Sequence, residues 1–122
     1  MEVIRERERT RRKIISEAKA WAKTLQFKST VILIGSYARG DFNLWSDVDI
    51  LLIANFRGNI LQRLKAIDYP PGYEILPLTP EEFYKLISRD DPLALDALSH
   101  GVVLRDDLGL VRMFRNKLRK NH

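Results

Sequence analysis

The chain of 122 residues contains no cysteine. Disulfides and thiolate metal sites are thereby excluded, and the composition suits a reducing, cytoplasmic setting. Histidine is scarce: only His100 and His122 occur, the second at the very end. A histidine-rich metal centre is therefore not expected. Any metal must rest on carboxylates, which suits a hard cation such as magnesium or manganese. No apolar run is long enough to span a membrane. The opening stretch MEVIRERERTRRK alternates in charge and lacks the apolar segment of a secretory signal. Internal repeats, low-complexity tracts and interior linkers are also missing.

What is present is enough for one compact domain with its own core, since 45% of the residues are hydrophobic. We divide residues 1–122 into an N-terminal helix (1–28), a core (29–105) and a basic C-terminal helix (106–122). The net charge of +5 favours anionic partners such as nucleotides, nucleic acid or an acidic protein. The plain alternative is that the arginines and lysines are solvated helix faces.

Residues 2–25 predict a helix, because Ile14, Ala18, Trp21 and Leu25 form one apolar stripe. Its Arg/Glu-rich first half has a weak stripe and is expected to project or fray. STVILIG (29–35) and DVDILLIAN (47–55) are nearly continuous apolar runs, as expected for strands covered on both faces. A short helix follows at 58–68, with Ile60, Leu61, Leu64 and Ile67 on one side. YEILPLT (73–79) is a shorter strand, placed at an edge or ending where Pro77 removes an amide donor. Thr79, Pro80 and Glu82 mark a helix start with a capping box. Another helical segment runs from Pro92 to Gly101, with the glycine just past its end. VVLRDD is a fourth strand or an extended link. The first two strands are joined by only about a dozen residues, too few for a usual parallel crossover. The expected fold is therefore α/β in the α+β sense: a small mixed β-sheet flanked by helices.

The chemistry concentrates in GSYARGDFNLWSDVDILL, residues 35–52. Asp47 and Asp49 are two apart on a strand, so their carboxylates share a face and can converge on one point. Two close carboxylates repel unless a cation lies between them. Carboxylates together with nucleotide phosphates are a usual shell for Mg²⁺. Upstream, Gly35 lets the backbone approach a ligand closely. Ser36 adds a hydroxyl, and amides freed at a short helix beginning there would face an anion. Arg39, one turn on, can reach a phosphate. Taken singly, each feature is ordinary: a solvated strand end, a turn. Between two buried strands they point together to a nucleoside-triphosphate site.

Gly-Ser, ten residues, then Asp-x-Asp resembles the signature of the DNA polymerase beta-type nucleotidyltransferase superfamily. In particular it is similar to the minimal nucleotidyltransferases, small stand-alone prokaryotic domains. The likeness covers residues 29–105, with its specificity in 35–52. It implies the nucleotidyltransferase fold and transfer of a nucleoside monophosphate from ATP or another NTP. It implies a two-metal site for Mg²⁺, with Mn²⁺ possible, the ions about 4 Å apart. On that match Asp47 and Asp49 are catalytic metal ligands, while Gly35 and Ser36 hold the triphosphate. The superfamily uses a third carboxylate on the next core strand, often Asp. Here the candidate is Glu74, which either completes the set or is a solvated edge-strand residue.

The resemblance also suggests partners. Minimal nucleotidyltransferases are commonly paired with all-helical HEPN proteins as toxin–antitoxin systems, in which AMP moves from ATP onto the toxin. Apolar positions near Trp21, Phe27, Phe114 and Leu118 either form such a contact or belong to the core, and a homodimer is a further option. The alternative function is a catalytically weak nucleotide-binding or antitoxin module acting by protein contact. RNA end modification is a third option, prompted by the positive charge and the basic C-terminal helix. His100 reads as a helix-end residue, Asp41 as a turn residue, and Asp90, Asp91, Asp106 and Asp107 as loop and cap residues. Tyr37 and Trp45 either stack on a base or cover a surface.

Overall fold

The computed structural model describes residues 1–120; His122 and its neighbour lie outside the described residues. The chain order is α1 (Glu2–Thr24), β1 (Thr30–Ile34), α2 (Gly35–Arg39), β2 (Val48–Ile53), α3 (Ile60–Lys65), β3 (Tyr73–Leu78), α4 (Pro80–Ser88), α5 (Pro92–His100), β4 (Val102–Asp106) and α6 (Leu110–Lys120). The four strands form one sheet in the order β3-β2-β1-β4. β1 pairs antiparallel with β2 and β4, whereas β2 and β3 are parallel. The sheet is therefore mixed, and VVLRDD supplies its fourth strand. β3 lies at an edge, where the missing amide of Pro77 does least harm.

Alternation along the central strands divides the core in two. Val31, Leu33, Ile50 and Leu52 face one way, into a cluster with Ala18, Trp21 and Ala22 of α1 and Tyr37 and Ala38 of α2. Ile32, Leu51 and Ile53 face the other way, against Phe83 of α4, Ala94, Ala97 and Leu98 of α5, and Val111 and Phe114 of α6. All seven of these strand residues have no exposed surface, which is why both runs read as continuously apolar. Trp21 and Phe114 are buried, and Phe27 and Leu118 are half-buried against the two clusters. Of these four positions, open in the sequence between partner surface and core, Trp21 and Phe114 belong to the core and Phe27 and Leu118 pack against it.

Local signals explain most helix ends. Thr79 accepts from the Glu82 amide, and Glu82 answers onto the Thr79 amide, so α4 starts on the expected capping box. Asn59 and Gln62 make a second box at the start of α3. Asp91 caps α5, and Asp106 accepts from the Leu110 amide at the start of α6.

Gly101 follows the last residue of α5 as expected, with an extended backbone (φ −64°, ψ 147°), and its lack of a side chain leaves room for the Ala97 carbonyl and Ile32. Two expectations need correction. On α3, Ile60 and Leu61 are exposed, while Arg63 is buried at 8% exposure. Its guanidinium bonds the Gly58 and Pro77 carbonyls and pairs with Glu82 at 2.6 Å. That charged clamp turns the helix away from the orientation its apolar residues suggest. Finally, the first half of α1 is exposed but does not fray: it is helical from Glu2, and Arg11 ties it to α2 and Arg7 to the segment after α2.

Arginine closes other helix ends as well. Arg105 of β4 donates to the Ala22, Leu25 and Phe27 carbonyls at the end of α1. Arg115 of α6 donates to Leu98 and Gly101 at the end of α5. A cation there satisfies carbonyls that the helix leaves unpaired and complements its dipole. Part of the basic excess thus serves the fold.

Candidate active site

The sheet topology brings the sequence motif together. β1 leaves the sheet at Ile34, whose register partner on β2 is Asp49. Asp49 in turn lies opposite Glu74 on β3. Asp49 and Glu74 project to the same face because in-register neighbours on adjacent strands do so. The third carboxylate therefore stands directly beside the Asp-x-Asp pair. Asp47 sits one residue before β2, exposed; Glu74 is exposed too, and Asp49 is half-buried.

Gly35 opens α2 with φ +75°, the left-handed region in which a side chain is strained. A Cβ there would collide with Oδ2 of Asp49. The turn and the carboxylate are thus in close contact, although fourteen positions apart in sequence. Ser36 is half-buried beside them.

Electrostatics mark the pair. The Asp49 carboxyl is pushed up to about 6, first by burial, then by the Glu74 charge and a hydrogen bond with Glu74, and then by Asp47. Arg39 offsets this only in part. A carboxyl crowded in this way keeps its proton to higher pH when no cation neutralises its surroundings. This donor set of hard oxygens suits a magnesium-like ion. Among the described residues, no three such side chains are drawn closely enough to form a ready-made metal cage. The converged pair is Asp49 and Glu74, with Asp47 as the adjacent charge.

Arg39 is partly committed elsewhere. It pairs with Asp41 at 3.3 Å and with Asp96 of α5 at 3.6 Å. Asp41 is therefore an ion-pair partner of Arg39 rather than only a turn residue. Asp96 also meets His100 Nδ1 at 3.1 Å one turn later, at the exposed end of α5. Tyr37 is buried and stacks on Phe42 at 4.5 Å, so it belongs to the core. Trp45 and Leu44, by contrast, are 89% and 95% exposed. Asn43 holds their turn: its side chain accepts from the Trp45 amide, and its own amide donates to Ser46 Oγ.

Two residues near the motif carry no sequence signal. Arg11 donates to the Tyr37 and Ala38 carbonyls, both at 2.7 Å, and Arg7 donates to the Phe42 carbonyl. Within a helix of alternating charge, nothing distinguishes them from their neighbours. Two grooves lie away from the carboxylates. One of about 400 Å³ includes Phe27, Asn55, Phe56 and Arg57, and one of about 490 Å³ runs between α4 and α6.

Residues 11–104 match the family model for the nucleotidyltransferase domain. Among curated proteins, none matches the chain. In structure it is similar to a putative nucleotidyltransferase from Sulfolobus solfataricus, with a TM-score of 0.54 and 19% identity. The likeness covers 80% of this chain and 84% of that one, and at this identity it speaks for the fold. The matched span contains Gly35, Ser36, Asp47, Asp49 and Glu74, and with the mixed sheet that carries them it shows that this chain belongs to the nucleotidyltransferase domain family.

Proposed function

We propose that the chain transfers a nucleoside monophosphate, AMP from ATP, onto a hydroxyl of a protein acceptor in a Mg²⁺-dependent reaction. The observation that carries this reading is the in-register pair Asp49 and Glu74, packed against Gly35. Asp47, Asp49 and Glu74 would hold the cation; bound there, it neutralises the crowded carboxylates and supplies Lewis-acid charge stabilisation. Gly35 and Ser36 hold the triphosphate, with Arg39 at its flank. The acceptor oxygen forms a bond to the α-phosphorus, and the bond from that phosphorus to the bridging oxygen breaks, releasing pyrophosphate. Glu74, the exposed member of the pair, receives the hydroxyl proton.

Labelled ATP, Mg²⁺ and candidate protein acceptors test this directly. Transfer is expected with the native chain and lost in Asp49→Asn. Label incorporated equally by both proteins would remove Asp49 from the chemistry.

Leu44 and Trp45 favour a second reading, in which the chain acts by contact on a helical HEPN-type partner. Two large apolar side chains held out on a fixed turn are a usual form of protein contact. Neutralisation of such a partner by an Asp47/Asp49 double variant at native strength would favour contact over transfer.

A further inference from the structure

α2 has only five residues, too few to be stable alone. It nevertheless links the two halves of the motif: it begins at Gly35 and Ser36, and the chain leaving it returns as Asp47 and Asp49. Its direction therefore sets where the Gly35–Ser36 turn lies relative to Asp49. Within the segment itself, the Gly40 and Asp41 amides both converge on the Ser36 carbonyl, at 2.8 and 3.1 Å, with Gly40 left-handed at φ +92°. The next carbonyls, of Tyr37 and Ala38, lie beyond the reach of the helix's own amides. Arg11 takes both with one guanidinium fork, through Nε and Nη2 at 2.7 Å each. One turn earlier on α1, Arg7 donates to Phe42 and reaches Gly40 at 3.5 Å, with its guanidinium 4.9 Å from the Phe42 ring centre.

We infer that Arg11, assisted by Arg7, is a positioning residue: it fixes α2 from outside and so holds the Gly35–Ser36 turn against Asp49 for triphosphate binding. Neither arginine touches the carboxylates or the turn. Each acts through backbone carbonyls up to seven positions from Gly35. The planar fork matters because its Nε and Nη2 donors are fixed side by side in one plane, whereas an ammonium on a flexible stem has donors of no fixed direction. Charge alone would place no such demand on residue type. The inference rests on the reading of Gly35 and Ser36 as the triphosphate turn, but the geometry it asserts can be measured without nucleotide.

The test compares Arg11→Ala and Arg11→Lys with Arg12→Ala, an exposed neighbour on the same helix. Amide NMR of the whole chain reads the geometry, and calorimetry with MgATP reads binding. In Arg11→Ala the Gly35 and Ser36 amide resonances are expected to shift. Exchange at the Gly40 amide should quicken about tenfold, the effect of losing a charge-assisted hydrogen bond. Amides of Leu51 and Leu52 should keep their protection, which separates a local change from unfolding. MgATP affinity should fall about tenfold, added methylguanidinium should restore part of it, and Arg12→Ala should match the native chain. If Arg11→Ala does not fold, Arg11→Lys is read instead, with the same direction of change expected. Unchanged Gly35 and Ser36 resonances in whichever variant folds would overturn the inference. A native chain that binds no MgATP counts against the nucleotide reading instead, and the amide measurement still decides the role of Arg11.

Discussion

The Asp49 carboxylate occupies the space that a side chain at position 35 would need. Glycine there is thus demanded twice, by the left-handed backbone and by the acid packed against it. Gly35→Ala should cost roughly 1–2 kcal/mol from the backbone alone, more once Asp49 is displaced. Nucleotide transfer should fall about a hundredfold, the scale of effect of an ångström-sized misplacement. Urea unfolding and a labelled-nucleotide assay measure the two losses. Native activity in the variant would show that the contact is not required.

The Asp49–Glu74 neighbourhood sets a pH dependence. The Asp49 carboxyl titrates near 6 when folded, against 3.8 ordinarily. Between those values the folded chain holds a proton that the unfolded chain has lost. Its contribution is therefore fully present below about pH 4 and is lost as pH rises through about 6. The difference in urea midpoint between the native chain and Asp49→Asn should change across that window and be flat above it. Magnesium should oppose the loss at neutral pH by stabilising the ionised, folded form. A difference curve that is flat from pH 4 to 7 would contradict the raised Asp49 carboxyl.

Arg63 and Glu82 join α3 to α4 through a buried guanidinium. Arg63→Met keeps the apolar stem but leaves the Pro77 and Gly58 carbonyls without their donor. A loss of about 2–3 kcal/mol is expected, typical of a charged hydrogen-bonding group removed from a buried site. Glu82 lies below the usual carboxylate range because Arg63 and the Thr79 amide bond its charged form. Its contribution is present above the ordinary carboxylate pKa and is lost as pH falls through the lowered one. Acid titration of the native chain, with Glu82→Gln alongside, measures this limb separately from that of Asp49.

Trp45 is exposed and packs on little, so Trp45→Ala should change stability by less than about 0.5 kcal/mol. Binding of MgATP should likewise be unaffected. Use of a protein acceptor should weaken by about tenfold or more, as for an exposed aromatic anchor at a contact. Kinetics with acceptor and nucleotide varied separately will show which substrate senses the residue. A change confined to the nucleotide would reassign Trp45 to the base.

Patterns with a short period were readable in the sequence. The two central strands, the capping box at Thr79 and the restriction of β3 by Pro77 to an edge or a strand end all follow from local spacing and single-residue stereochemistry. Of the two aspartates expected on one strand face, Asp49 lies in β2, whereas Asp47 lies one residue before it. What could not be read depends on partners far away in the chain. The burial of Arg63 needs Glu82 and Pro77, and Arg7 and Arg11 need carbonyls more than twenty-five positions away. In each case an arginine looks like a solvent-facing charge until a carbonyl or carboxylate arrives to meet it. The register of Glu74 with Asp49 was likewise open, because nothing within β3 states how far along β2 it pairs.

The mixed sheet also divides the molecule into a constrained end and a permissive one. Because β1 runs opposite to β2 and β3, the end of the first and the beginnings of the other two meet along one border, where every motif residue sits. The opposite border carries connections such as residues 54–59 between β2 and α3, beside the groove at Phe27 and Phe56. Lengthening the chain there leaves the spacing from Gly35 to Asp49 and the pairing of Asp49 with Glu74 untouched.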